Sequence, residues 1–283
     1  MRARGLWCSE TYEDRIAFGL RVSATLHRER SAHQLVEIFD TPAFGRVLAL
    51  DGVFMTSTGD EFFYHEMIVH PALCTAPRVD RVLVIGGGDG GTAREVLRHR
   101  GAREVVLVEI DPAVVAACRA HLPELGAWDD PRLSVLYEDG VRFVREVEPA
   151  SFDVVILDGS DPIGPGAGLF DRAFFEGVRR ALAPDGVFVA QSESPLAYAE
   201  TFYAIVRQLG EVFGRAHPYF GTVPLYGIGP WTWTYASASA DPLALRADRA
   251  ASVERPCRYW TREIHRAAFA QPAFVRRKLE AGC

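Results

Sequence analysis

From Gly19 to about Thr58 short runs rich in valine, leucine and phenylalanine alternate with breaks at Ser31-Ala32-His33, Thr41-Pro42 and Asp51-Gly52. Apolar runs of this length between turn-forming residues predict a small antiparallel sheet. The segment Asp60 to Cys74 sets Phe62, Phe63, Met67 and Ile68 beside acidic and histidine positions, which predicts a helix. From Arg81 the pattern changes. Buried-type strands (RVLVIG, EVVLVEID, LSVLYED, FDVVILD, GVFVAQS) alternate with amphipathic helices (TAREVLRHR, PAVVAACRAHL, FDRAFFEGVRRAL), the signature of a parallel sheet covered on both faces. Further strands are expected around Ala216 to Phe220 and Trp231 to Ala238, with antiparallel pairing at the far edge as one arrangement they permit. The tail from Asp241 carries helical patterns. The expected fold is α/β: a small N-terminal antiparallel β-domain over residues 1–58, then a Rossmann-like doubly wound catalytic domain over 59–283 with a C-terminal helical tail.

Composition narrows the class. A chain of 283 residues, 48% hydrophobic and 24% charged, can bury a large core with room for a second small domain. No apolar run approaches the roughly 18 to 20 residues of a membrane helix. The start MRARGLWCSETYEDR puts charges where a signal peptide needs an apolar core, so a cytoplasmic protein without membrane partners is expected. Cys8, Cys74, Cys118, Cys257 and Cys283 are odd in number and form no C-x-x-C, which predicts reduced thiols and no metal site. The net charge of -6 counts against a nucleic-acid surface and is compatible with a cationic ligand.

The candidate chemistry begins where RVLVIG runs into Gly86-Gly87-Gly88-Asp89-Gly90-Gly91, a fit to G-x-G-x-x-G at Gly86, Gly88 and Gly91. Such glycines let the backbone turn tightly and approach a ligand, a device shared by nicotinamide, flavin and sulfonium-nucleoside enzymes and by plain tight turns. Glu109 ends the second strand about twenty residues further on, where a carboxylate can accept both ribose hydroxyls. Asp139-Gly140 follows the third strand and suits an adenine amino group. Asp89 inside the loop would repel a dinucleotide pyrophosphate, and equally the carboxylate of S-adenosylmethionine, but would attract a decarboxylated donor that keeps its amine. Capping of the next helix is the alternative role for Asp89.

A second acidic motif follows. FDVVILD delivers Asp158 to the same sheet edge and continues as Gly159-Ser160-Asp161-Pro162-Ile163-Gly164-Pro165. Unless this is a plain Asp-Pro turn with solvated acids, Asp158 and Asp161 face a site that already holds Asp89. Crowded carboxylates raise one another's pKa unless cations enter, which points to a diamine or polyamine. An aspartate assisted by a tyrosine hydroxyl can fix an attacking amine and take its proton. Alignment then suffices for in-line displacement at the carbon beside a sulfonium.

These residues resemble the polyamine aminopropyltransferases, especially the bacterial spermidine synthases. The likeness runs from Trp7 to roughly Leu279 through LALDGV, DEFFYHEM, VIGGGDGG, VEID, YEDG, DGSDPIGP, FVAQSES, TVPLY and CRYWTREIHRAAFAQP. The resemblance implies a β-domain before a Rossmann-like domain, and assembly as a homodimer or homotetramer. It implies decarboxylated S-adenosylmethionine as a co-substrate, with no cofactor or metal, and a small-molecule amine as its partner in the reaction. By resemblance Asp158 is the proton acceptor and Tyr64 its hydroxyl partner. Gln34, Glu109, Asp139, Gly140 and Pro165 hold the nucleoside, released as methylthioadenosine. His65, Asp89 and Asp161 contact the polyamine or aminopropyl group, and Tyr226 and Trp7 wall the amine channel.

Departures from the family pattern gather on the amine side: Met55 replaces a common glutamine, Gly159 a serine, and Pro224-Leu225-Tyr226-Gly227-Ile228-Gly229 the usual PTYPSG. Putrescine is the expected amine, with agmatine, cadaverine, diaminopropane or spermidine as alternatives. A methyltransferase using intact S-adenosylmethionine and a non-catalytic polyamine or nucleoside sensor are the rival readings.

Overall fold

The computed structural model describes residues 6–12, 15–160 and 164–282. β1 (Leu6–Tyr12) and β2 (Ile16–Val22) pair as an antiparallel hairpin, and β3 (Ala24–Arg30), β4 (Leu35–Thr41), β5 (Gly45–Leu50) and β6 (Val53–Ser57) follow as an antiparallel meander. The three sequence breaks are the three turns of that meander. Asp51 and Gly52 have φ of 48° and 87°, the two left-handed residues that a two-residue hairpin turn requires. The first strand starts at Leu6, well before Gly19, and the single sheet expected from the pattern is divided in two. β1 escapes pattern reading because its inward positions include a charged residue, the buried Glu10.

Side chains alternate across the meander, as strand geometry requires. Val36, Ile38 and Leu48 face α3 (Pro112–His121), while Phe39, Val47, Ala49 and Phe54 pack on Leu20 and Val22 of the hairpin. The meander is therefore a shared wall, with the hairpin on one side and the larger domain on the other. α1 (Glu61–Leu73) follows it and is buried at nearly every position. Asp60, just before α1, accepts from the Ser57 hydroxyl at 2.6 Å and from Leu225 N at 2.8 Å, which fixes the helix start between β6 and a distant loop.

The remaining elements are β7 (Arg81–Gly86), α2 (Gly91–Leu97), β8 (Glu104–Glu109), α3, β9 (Leu133–Tyr137), α4 (Gly140–Glu146), β10 (Phe152–Asp158), a 3-10 segment Gly164–Phe170, α5 (Arg172–Ala181), β11 (Leu182–Gln191), α6 (Ala199–Phe213), β12 (Ala216–Thr222), a 3-10 turn Pro224–Tyr226, β13 (Pro230–Ala236), α7 (Ala247–Glu254), α8 (Arg262–Ala268) and α9 (Ala273–Glu280). The sheet order is β12-β13-β11-β10-β7-β8-β9, parallel throughout except that β13 runs antiparallel to both β11 and β12. Val82 and Val84 of β7 join α1 and α2 in one core, and Leu83 and Ile85 join α5 and α6 in the other. Burial on both faces explains the nearly unbroken apolar run of that strand.

The chain leaves β7 toward β8 on one side and returns to β10 on the other. The strand ends between β7 and β10 are thus a topological switch point, where α/β sheets open a crevice. The tail is anchored over α1: Glu66 accepts from the N–H groups of Arg258, Tyr259 and Trp260, each at 2.8 Å. Among the described residues no helix is long and apolar enough to cross a membrane.

Candidate active site

Across the switch point Gly86 is the register partner of Asp158, and Gly87 N donates to the Asp158 carbonyl at 2.8 Å. Gly86 has φ of 78°, and a Cβ there would lie 2.2 Å from that carbonyl oxygen; only glycine fits. The cleft above it, about 910 Å³ including its open mouth, gathers Gln34, Gly86, Gly88, Asp89, Glu109, Asp139 and Gly140 on one side and Tyr64, His65, Asp158 and Tyr226 on the other. Gln34 donates to Asp111 Oδ2 at 3.0 Å, which ties the meander to the start of α3. Asp139 caps α4 by accepting from Val141 N at 2.8 Å. Glu109 accepts from Asp111 N at 2.9 Å. Burial pushes its carboxyl up to about 7, against the pull of the N–H groups of Asp111, Gly88 and Ile110.

Asp158 sits at the centre with both oxygens engaged: Tyr64 donates to Oδ1 at 2.8 Å and Thr92 to Oδ2 at 2.7 Å. Burial raises its pKa above the usual carboxylate range and nearby Asp89 raises it further, while His65 and the two hydroxyls pull it down. Burial, then the charge of Asp158, holds the Tyr64 phenol well above its ordinary value, so it remains a hydrogen donor. A buried carboxylate of raised basicity beside a fixed hydroxyl is a competent proton acceptor for an amine.

Asp89 does two things at once. Oδ1 accepts from Gly91 N at 2.7 Å at the start of α2, and Oδ2 lies 3.3 Å from His65 Nε2. The capping role and the charged role are both present, and the charge is met by a histidine. Burial alone would raise Asp89, but His65 and the Gly91 N–H hold it below the usual range.

A smaller cavity, about 390 Å³ on the same measure, opens beyond Tyr64, Met55, Gly159, Ser160 and Tyr226, which line both spaces. Its further walls include Glu10, Tyr12, Gln191, Tyr198 and Trp231. The Tyr226 hydroxyl donates to the Met55 carbonyl at 3.1 Å, and the Tyr12 hydroxyl donates to the Tyr226 carbonyl at 2.8 Å.

Trp7 is not among these walls. Strand parity puts it on the face of β1 opposite Glu10 and Tyr12, where it is 62% exposed; β1 supplies Glu10 and Tyr12 to the cavity instead. Asp161 lies outside the described residues, as does the side chain of Pro165. Thr92, Glu10 and Gln191 are missed by sequence reasoning. Thr92 reads as an ordinary first-turn residue, and nothing local to β1 or β11 marks Glu10 or Gln191.

Fold and site together define an enzyme of the transferase class. Residues 61–246 match the spermine/spermidine synthase domain, and residues 6–58 match the spermidine synthase tetramerisation domain. A polyamine aminopropyltransferase of Moorella thermoacetica is 46% identical over 279 residues, 98% of each chain. That of Bacillus subtilis is 40% identical over 271 residues, 95% of this chain and 97% of its own. The crystal structure of a spermidine synthase in complex with the transition-state analogue AdoDATO superposes with a TM-score of 0.95 at 35% identity, covering 99% of this chain and 97% of that one. Spermidine synthase from Thermotoga maritima gives 0.94 at 35% identity, covering 99% and 96%. The chain belongs to the spermine/spermidine synthase family and is an aminopropyltransferase.

Proposed function

We propose that the enzyme moves the aminopropyl group of decarboxylated S-adenosylmethionine onto a diamine, putrescine first among the candidates, giving spermidine and methylthioadenosine. The observation that carries this reading is the Tyr64–Asp158 contact at the seam of the two cavities. The nucleoside lies along Gln34, Glu109, Asp139 and Gly140, with Gly86 and Gly88 allowing close approach, and Pro165 belongs to the segment that covers it. The amine enters from the smaller cavity. Its nitrogen lone pair attacks the carbon beside the sulfonium, the C–S bond breaks, and sulfur keeps the electron pair as a neutral thioether. The amine proton passes to Asp158 while Tyr64 holds that carboxylate in line. Asp89, His65 and Asp161 guide the cationic groups. No metal or cofactor enters this displacement.

The smaller cavity supports a diamine. Its walls are apolar or aromatic at Val53, Phe54, Met55, Tyr226 and Trp231, and Glu10 is the carboxylate among its described lining residues. An alkyl chain between two amines fits that division: one amine at Asp158, the other toward Glu10. A homodimer or homotetramer built on the N-terminal strands is supported by exposed Leu6, Trp7 and Ile16, at 64, 62 and 52%. Sedimentation that finds only monomer would end the oligomer reading.

Mass-resolved product formation from decarboxylated S-adenosylmethionine with putrescine, cadaverine, agmatine, diaminopropane and spermidine tests the amine. Spermidine from putrescine as the fastest product is expected. A faster product from another amine keeps the chemistry and changes the substrate. Tight methylthioadenosine binding without transfer to any amine would point to a sensor.

A further inference from the structure

His65 has a carboxylate at each ring nitrogen. Nδ1 is 2.7 Å from Glu61 Oε2 and Nε2 is 3.3 Å from Asp89 Oδ2, with all three side chains at 11% exposure or less. A neutral imidazole carries one N–H and one lone pair. In the neutral state one of these contacts would set a lone pair against carboxylate oxygen. The conflict ends if Glu61, Asp89 or the ring takes a further proton. Glu61 Oε2 also receives Arg94 Nη2 at 2.7 Å, and Asp89 Oδ1 receives Gly91 N at 2.7 Å. Both carboxylates are thus held in the ionised form by donors of their own, which leaves the ring to carry the proton.

The surroundings agree. The ring faces Asp60, Glu61 and Tyr64 from its own end of α1, Asp89 from the glycine loop, Asp158 from the end of β10 and, through Glu61, Arg94 of α2. Burial pulls the imidazole down, and Asp89 and Glu61 overcome it and hold it well above the ordinary histidine range. Burial also pushes Glu61 up, and His65 with Arg94 reverse this and lower it to about 2. A Cβ at position 91 would lie 2.2 Å from the His65 ring. The third glycine of the loop therefore makes room for this ring.

We propose that Glu61 is a positioning residue for the reaction: it fixes His65 as an imidazolium whose Nε2–H is aimed at Asp89, so the loop carboxylate is ionised and oriented before any cationic substrate arrives. Without that cation, Asp89 and Asp158 would compete for one proton, and the carboxylate that takes it would no longer attract an amine. The kinetic consequences rest on the aminopropyl-transfer reading; the charge state of His65 does not.

Long-range proton–nitrogen correlation spectra of the ligand-free wild-type protein read His65 directly. Both ring nitrogens protonated from about pH 6 to about pH 8, across the ordinary histidine range, is the expected result. A neutral ring within that range overturns the proposal, whichever amine the enzyme uses. Glu61→Gln keeps the shape and removes one of the two carboxylate charges that hold the ring protonated, so the pH at which His65 loses its second proton should fall. Above that pH the donor KM should rise about tenfold to hundredfold, the scale of one charge-assisted hydrogen bond, with kcat changed less. As pH falls through the lowered His65 titration of the variant the ratio of variant to wild-type kcat/KM should recover, because protonation restores the missing cation. A loss equal at every pH would mean that Glu61 only supports the fold, and would overturn the proposal. If the variant does not fold, the wild-type spectra still decide. If the wild-type protein transfers to no amine, the functional reading fails while the spectra still answer for His65.

Discussion

The two halves of the active site are built differently. On the proposed donor side Gly86 and Glu109 are the last residues of β7 and β8 and Asp139 follows β9 by two positions, while Asp158 ends β10 on the same edge, where the two halves meet. Hydrogen-bonded register carries them to one edge, so their relative placement follows from strand order. On the amine side Glu10, Met55, Gln191, Tyr226 and Trp231 come from β1, β6, β11, a 3-10 turn and β13. Packing between layers brings them together, with Asp60 pinning α1 to the 224–226 turn. A site on a sheet edge inherits the rigidity of the ladder, whereas a pocket between layers can exchange one wall residue for another without disturbing the fold. Met55, Gly159 and the altered loop from Pro224 to Gly229 all fall in or beside that second kind of site.

The largest effect is expected where the halves meet. Asp158→Asn keeps the shape but removes the proton acceptor, and its amide nitrogen, a donor, replaces one of the two oxygens that accept from Tyr64 and Thr92. Turnover should fall by roughly two to four decades, the scale of general-base loss, while methylthioadenosine binding measured by calorimetry persists. Unchanged turnover would remove Asp158 as the base. A matching loss of nucleoside binding would mean that Asp158 belongs to the donor half and does not join the two.

The donor half has its own pH signature. Burial pushes Glu109 up to about 7 in the empty protein, so below that pH the carboxyl is protonated. If ribose hydroxyls donate to it they favour the ionised form, and methylthioadenosine affinity should then strengthen as pH rises through about 7 and level. Glu109→Gln should flatten this profile and weaken binding about tenfold to hundredfold above it. The ligand-free fold shows the opposite sign. The folded pKa stands above the ordinary value of 4.5, so stability from this group is present below 4.5 and is lost as pH rises toward about 7. Melting curves of wild type and Glu109→Gln should diverge over that window. A profile for nucleoside binding identical in both proteins would detach Glu109 from the ribose.

The same contrast governs what could be read from the sequence. The parallel sheet and the acidic strand ends were legible because each apolar strand signals its own end, and the carboxylates lie at or just beyond those ends. The role of Asp89 was legible only in part: its negative charge is visible in the sequence, but the His65 ring that meets it comes from a helix whose packing no local pattern states. Glu61 and His65 could be paired in advance by their i, i+4 spacing, whereas the approach of Arg94 could not. β1 was the least legible element. Its buried positions include a glutamate, so the alternation that marks a strand is reversed where Glu10 faces the smaller cavity.

That reversal supports the finest test, between two residues three apart on one strand. Glu10 faces the smaller cavity and accepts from Phe54 N at 2.9 Å, while Trp7 points to the opposite face. If the distal amine is held toward Glu10, Glu10→Gln should raise the amine KM about tenfold, one charge-assisted contact, with donor KM unchanged. Trp7→Ala should leave both KM values within about twofold, as for a surface substitution, and shift the sedimentation profile instead if the exposed hairpin joins subunits. An amine KM that moves with Trp7 and not with Glu10 would exchange the two faces of β1. The amine channel would then include the outer surface of the hairpin, and its walls would not be complete within one chain.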